Sequence, residues 1–146
     1  FLDLIDNTLH YALARGDIVE DKETLIRVQT VNTLRDVLGT QIPGKSPGWS
    51  YRRAMQHIAE AGCGVVVLIG QTPSVEESLA EVLQFPEPAS VTGGNAGNSS
   101  PNYRWIGTGS QILRRLGVGK MKIMSEPVRF NALSGFSLEV TDFVQP

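Results

Sequence analysis

The stretch Ile58-Ala-Glu-Ala-Gly-Cys-Gly-Val-Val-Val-Leu-Ile-Gly-Gln71 decides the fold class. Its first half closes a helix. Ala54, Met55, Ile58 and Ala59 fall on one helical stripe, Ser50 is placed to cap the N-terminus, and Gly62 supplies the left-handed C′ residue. Its second half, Val65 to Ile69, is an unbroken β-branched and leucine run, the pattern of a strand covered on both faces. A helix delivering such a strand is the unit of an α/β sheet.

Working outward, Leu9, Tyr11 and Leu13 alternate with polar or small residues, Gly16-Asp17 offers a turn, and Ile26, Val28 and Thr30 alternate again. This predicts two half-buried antiparallel strands. The segment from Thr33 to Gly48 reads as a loop with one turn of order. Downstream, Ser74-Val-Glu-Glu77 is a capping-box signature opening a helix through Leu83. Residues 86–103, containing Gly93-Gly-Asn-Ala-Gly-Asn-Ser-Ser-Pro-Asn102, are expected to form a mobile loop. A helix (Ser110 to Leu116), a strand (Met121 to Ser125), a helix (Val128 to Leu133) and a last strand (Leu138 to Val144) complete the chain. Short strand–helix–strand links imply a right-handed parallel crossover. The expected architecture is a single α/β domain over residues 1–146. Its mixed sheet has an N-terminal antiparallel hairpin and a C-terminal parallel βαβ part flanked by helices.

The 146 residues suffice for one core, and a net charge of −2 favours neither nucleic acid nor an anionic membrane as partner. The longest apolar run is too short to span a bilayer, so a cytoplasmic home is expected. Phe1 as first residue suggests a piece of a longer protein. The single cysteine, Cys63, excludes an internal disulfide and any multi-thiolate metal site within one chain, and reads as a small apolar or tolerated thiol.

Gly39-Thr-Gln-Ile-Pro-Gly-Lys-Ser46 matches the G-x-x-x-x-G-K-[ST] pattern of a phosphate loop. The match fails on physical grounds. Such a loop needs a helix starting at its Lys-Ser end to supply amides and a dipole. Here Pro47 drives Ser46 toward extended geometry and Gly48 weakens a helix start further. The segment before Gly39 is not an apolar strand, and Gly70, not a magnesium-binding Asp, follows the buried strand.

Several stretches in order carry a different resemblance over nearly the whole chain: His10 to Ile18, Leu25 to Gln29, Arg35 to Gly39, Ile58 to Gln71, Ile106 to Val118 and Glu126 to Val140. Together they resemble the GTP cyclohydrolase II domain of riboflavin biosynthesis, the run from Ile106 to Val118 being the most specific. The resemblance implies that fold and a zinc-activated water, the metal held by three cysteines. This sequence departs from the pattern at every thiolate. Asn32 stands where the first cysteine belongs, and the Pro43 to Pro47 region offers none for the other two. The resemblance therefore implies a domain whose zinc site is lost and which has no catalytic residues.

Of the nucleotide pocket that the family builds, Gln71, Asn102, Arg104, Ser125 and Arg129 are the vestigial positions. Asn102 replaces an acid–base carboxylate, while Ser125 and Arg129 replace a Thr and a Lys. The arginines also fit ordinary surface or ion-paired roles. Arg52 and Arg53 beside Glu60 read as a solvated helix face. His10 and His57 lack partners at metal-ligand spacing. Trp49 and Trp105 flank the degraded loops, as plugs of a vacated cleft or as stacking platforms for a base.

In fused members of the family this domain follows 3,4-dihydroxy-2-butanone 4-phosphate synthase. The resemblance thus implies a covalently attached synthase domain, with magnesium possible there, and a homodimer. The expected role is structural or regulatory toward that synthase. The alternative is a sensor module that binds a nucleotide or flavin without turnover.

Overall fold

The computed structural model describes every residue except 6, 42–43, 45–47, 72, 86–100 and 128–132; for 101–105, 133 and 134 it describes the backbone alone. Among the described residues, strands β1 (Leu2–Asp3) and β2 (Thr8–Leu9) form a small antiparallel hairpin. Strands β3 (Tyr11–Arg15), β4 (Glu23–Thr30), β5 (Gly64–Ile69), β6 (Lys120–Ile123) and β7 (Glu139–Phe143) form one mixed sheet in the order β3-β5-β4-β6-β7. The last four run parallel and β3 is the antiparallel edge. Helices α1 (Tyr51–Ala61), α2 (Val75–Gln84) and α3 (Pro101–Arg115) make the connections.

β5 reads as the sequence requires. Val65, Val67 and Ile69 enter one apolar layer with Ile112 and Leu113 of α3. Val66 and Leu68 enter a second layer with Ala54 and Ile58 of α1. A side-chain period of two delivers alternate residues to the two layers, so a strand without polar interruption is buried on both faces. Each fully buried valine contributes about 1.5–3 kcal/mol relative to exposure. Where α1 meets β5, Gly64 is required, because an added Cβ would lie 2.7 Å from both Ile58 Cγ1 and the Leu25 carbonyl.

Local signals place the helix ends. Ser50 Oγ accepts from the Arg53 amide at 3.2 Å, and Gly62 ends α1 in the left-handed region at φ 85°. The capping box at α2 is reciprocal: Ser74 Oγ accepts from the Glu77 amide, and the Glu77 carboxylate accepts from the Ser74 amide.

Three expectations are corrected. β3 and β4 do not pair with each other, because β5 lies between them, antiparallel to one and parallel to the other. The N-terminal hairpin exists, but β1 and β2 form it. Second, the inward face along residues 9–13 is reversed: Leu9, Tyr11 and Leu13 are exposed, whereas His10 is buried and Ala12 packs on the α3 layer. Third, α3 begins at Pro101, nine residues before Ser110, so 101–103 are helical. The stretch 86–100 and residues 128–132 of the helix expected from Val128 lie outside the described residues; after them, Leu133–Phe136 form a 3-10 turn.

Candidate functional site

Open α/β sheets bind ligands outside the carboxyl ends of their strands, where successive crossovers diverge to opposite faces. In this chain α1 links β4 to β5 across one face, and α3 packs on the other face before β6. The diverging strands are β4 and β6, neighbours in the sheet. The candidate site is therefore the end of the sheet carrying Asn32, Gln71 and Ser125, which follow β4, β5 and β6.

Gln71 is exposed directly beyond β5. Ser125 is partly buried, and its hydroxyl donates to the Glu126 carbonyl at 2.8 Å. They share one end of the sheet, separated by the width of β4, or roughly 10 Å. Asn102 and Arg104 fall in the first turn of α3. That helix returns to the start of β6 and is about 22 Å long, which places its N-terminus at the same end of the sheet. The side chains of Asn102, Arg104 and Trp105, and the whole of Arg129, lie outside the described residues.

The chemistry at the end of β4 is structural. Asn32 Oδ1 accepts from the Arg35 amide at 2.7 Å and caps a π-helical turn, Thr33–Val37. Its Nδ2 donates to the Glu81 carboxylate of α2. Asp36 is buried, and Arg35 Nη2 at 2.7 Å, the Asn32 amide at 2.9 Å and Gln29 Nε2 at 3.2 Å all donate to its Oδ2. Burial would raise the Asp36 carboxyl, but hydrogen bonds from Arg35 and the Asn32 amide, with the Arg35 charge, hold it below the usual carboxylate range.

Gln29 passes the network to Arg27, whose Nε donates to Gln29 Oε1 at 2.8 Å. The Arg27 guanidinium also donates to the carbonyls of Met124 at 2.7 Å and Trp49 at 3.1 Å. Burial, followed by repulsion from Arg35, lowers its pKa to about 10. Arg27 thus ties β4 to the start of α1 and the end of β6, closing the α1 side of the crevice. Sequence reading missed Arg27, Gln29 and Asp36. The signal for Arg27 and Gln29 was polar residues inside "LIRVQT", a strand with neighbours on both sides, where each must find a partner.

Trp49 is buried against Ala54, Ile58, Val66 and Met124, and its Nε1 donates to the Val144 carbonyl at 2.8 Å. It fills the core and leaves no face for a base. His57 packs against it, ring centroids 5.4 Å apart. Arg52 and Arg53 are exposed over the Tyr51 and Trp49 rings, and Glu60 accepts from Gln56. His10 Nδ1 accepts from the Gly70 amide at 3.0 Å, and its buried Nε2 has no partner among the described residues.

Cys63 lies at the other end of the sheet. It precedes Gly64, which pairs with Leu25, so Cys63 is level with Thr24. Asn32 is eight residues farther along β4 and its extension, roughly 25 Å away at strand rise. Among the described residues, no group of three or more His, Cys, Asp or Glu side chains could hold a metal ion.

A mixed sheet with diverging crossovers, flanked by helices on both faces, defines an α/β domain. The family model for GTP cyclohydrolase II matches residues 1–145, and the chain belongs to that family. It is 41% identical to a 3,4-dihydroxy-2-butanone 4-phosphate synthase of Pseudomonas aeruginosa, over 99% of this chain and 38% of that protein. It is 33% identical to a monofunctional riboflavin biosynthesis protein RIBA 2 of Arabidopsis thaliana, over 97% of this chain and 29% of that one. The crystal structure of RibBX, a two-domain 3,4-dihydroxy-2-butanone 4-phosphate synthase from A. baumannii, superposes with a TM-score of 0.59 at 35% identity. It covers 94% of this chain and 32% of that one. The chain thus spans less than two fifths of the length of these relatives.

Proposed function

We infer that this is a non-catalytic GTP cyclohydrolase II-like domain of riboflavin biosynthesis, structural or regulatory toward a covalently attached 3,4-dihydroxy-2-butanone 4-phosphate synthase. The observation that carries the reading is the state of Asn32. At the family's first thiolate position stands a neutral amide with both polar atoms committed, one to a helix cap and one to Glu81. Three soft anionic ligands are needed there, and the chain's one thiol is at the far end of the sheet. The residues present do not fit zinc. Arg27 and Trp49 support the same reading, since both stiffen the crevice from inside and neither reaches outward. The assembly is a cytoplasmic homodimer in this reading, and any magnesium belongs to the synthase domain.

The test is incubation of the full chain with GTP, magnesium and zinc, with formate release as readout. No turnover is expected. Formate production that vanishes in Arg104→Ala would overturn the reading. Titration calorimetry with GTP, GMP and FMN separates the sensor alternative, which requires saturable heat without product.

A further inference from the structure

His10 sits where the β1–β2 hairpin, β3 and β5 meet. Its amide donates to the Phe1 carbonyl at 2.8 Å, which continues the hairpin pairing by one residue. Its ring crosses to the main sheet, where Nδ1 accepts from the Gly70 amide at 3.0 Å. The backbones close at the same point, since an added Cβ at Gly70 would lie 2.1 Å from the Leu9 carbonyl oxygen and 2.9 Å from Thr8 Cγ2. His10 is 5% exposed, and among the described residues its Nε2 has no hydrogen-bond partner.

An imidazole accepts at Nδ1 only while that nitrogen carries no proton. The imidazolium has a hydrogen on both nitrogens, so it cannot hold the Gly70 amide, and burying it forfeits the hydration of a cation. Protonation and this contact exclude one another. By the register of β3 on β5, His10 falls level with Ile69 of the α3 layer. Among the described residues, the titratable groups on the surrounding elements are the Phe1 amino group, which donates to the His10 carbonyl at 3.0 Å, Asp3 of β1, Tyr11 and Arg15 of β3, and Arg114 and Arg115 at the far end of α3. β5 carries none.

We propose that His10 is a pH-sensitive latch on the carboxyl end of β5. In its neutral form it fastens Gly70 to the hairpin. Protonation breaks that bond and lets the end of β5 part from the hairpin, with Gln71 of the candidate crevice directly beyond it. A solvated imidazole takes up its proton near pH 6.5. The open form binds that proton and the closed form does not, so opening becomes more favourable as pH falls. Complete exclusion from the closed form makes opening roughly thirtyfold more favourable at pH 5 than at pH 7.5. The latch is independent of the proposed loss of catalysis.

Amide hydrogen exchange of the whole protein tests this, with each rate corrected for the intrinsic effect of pH. Protection of the Gly70 amide is expected to fall by about tenfold or more from pH 7.5 to pH 5, while amides of β4 keep theirs. His10→Asn places an oxygen acceptor where Nδ1 stands and cannot gain a proton, so its Gly70 protection should change by less than about twofold over that range. Protection that is flat in the parent, that falls equally in His10→Asn, or that falls together with that of β4 overturns the proposal. The His10 ring-proton resonance of the parent, followed by NMR, must titrate over the same interval as the Gly70 exchange. A mismatch between the two overturns the latch even where the variant fails to fold.

Discussion

Asp36 keeps a negative charge where solvent does not reach, and its donors are its only source of solvation. An ionised carboxylate in such a place is stable only while the donors remain. Asp36→Asn is expected to cost about 2–4 kcal/mol in urea unfolding at neutral pH, because Arg35 loses its ion-pair partner. The same group sets a pH dependence. Its folded pKa lies below the ordinary value, so between the two the unfolded chain binds more protons and stability rises with pH. The contribution is full above the unfolded value near 3.8 and is lost as pH falls through the folded one. Urea midpoints measured from pH 6 down to pH 3 should therefore fall less steeply in Asp36→Asn than in the parent protein.

Elements are held at this end of the sheet by close backbone approach as much as by side chains. An added Cβ at Gly70 would lie 2.1 Å from the Leu9 carbonyl oxygen, a backbone atom that cannot swing aside. Gly70→Ala must displace β2 or the end of β5, and with it the hydrogen bond to His10. A loss of about 2–3 kcal/mol follows, read as a melting temperature lower by roughly 5–10 °C in scanning calorimetry. The elements themselves were mostly legible. Both caps of α1, the capping box of α2 and the two-faced burial of β5 depend on residues within a few positions of one another. The faces of β3 were not legible. Leu9, Tyr11 and Leu13 alternate like a core face, and only β3's place at the sheet edge leaves them in solvent. The start of α3 was also hidden, since Gly107 and Gly109 weaken the helical pattern. Gly109 is there because Val28 Cγ1 would lie 3.0 Å from any Cβ.

At the scale of the molecule, composition alone shows that one cysteine cannot supply three thiolates within this chain. The long-range polar pairings were not legible. Asn32 meets Glu81 forty-nine residues away, and Arg27 meets Met124 ninety-seven residues away, pairings that only the assembled sheet creates. The strand order has a temporal consequence. β4 is flanked by β5 and β6, and β3 is held by β5 alone, so no strand of the main sheet has a partner among the residues before Gly64. During synthesis β3 and β4 must therefore wait unpaired until Val65 to Ile69 emerge; these three strands then form one half of the sheet, and β6 and β7 add on the far side of β4 later. A fragment of residues 1–62 should accordingly show a coil-like far-ultraviolet circular dichroism spectrum. Extension through Ile69 first makes strand pairing possible, so β5 acts as the timing element of biosynthesis as well as the centre of the core.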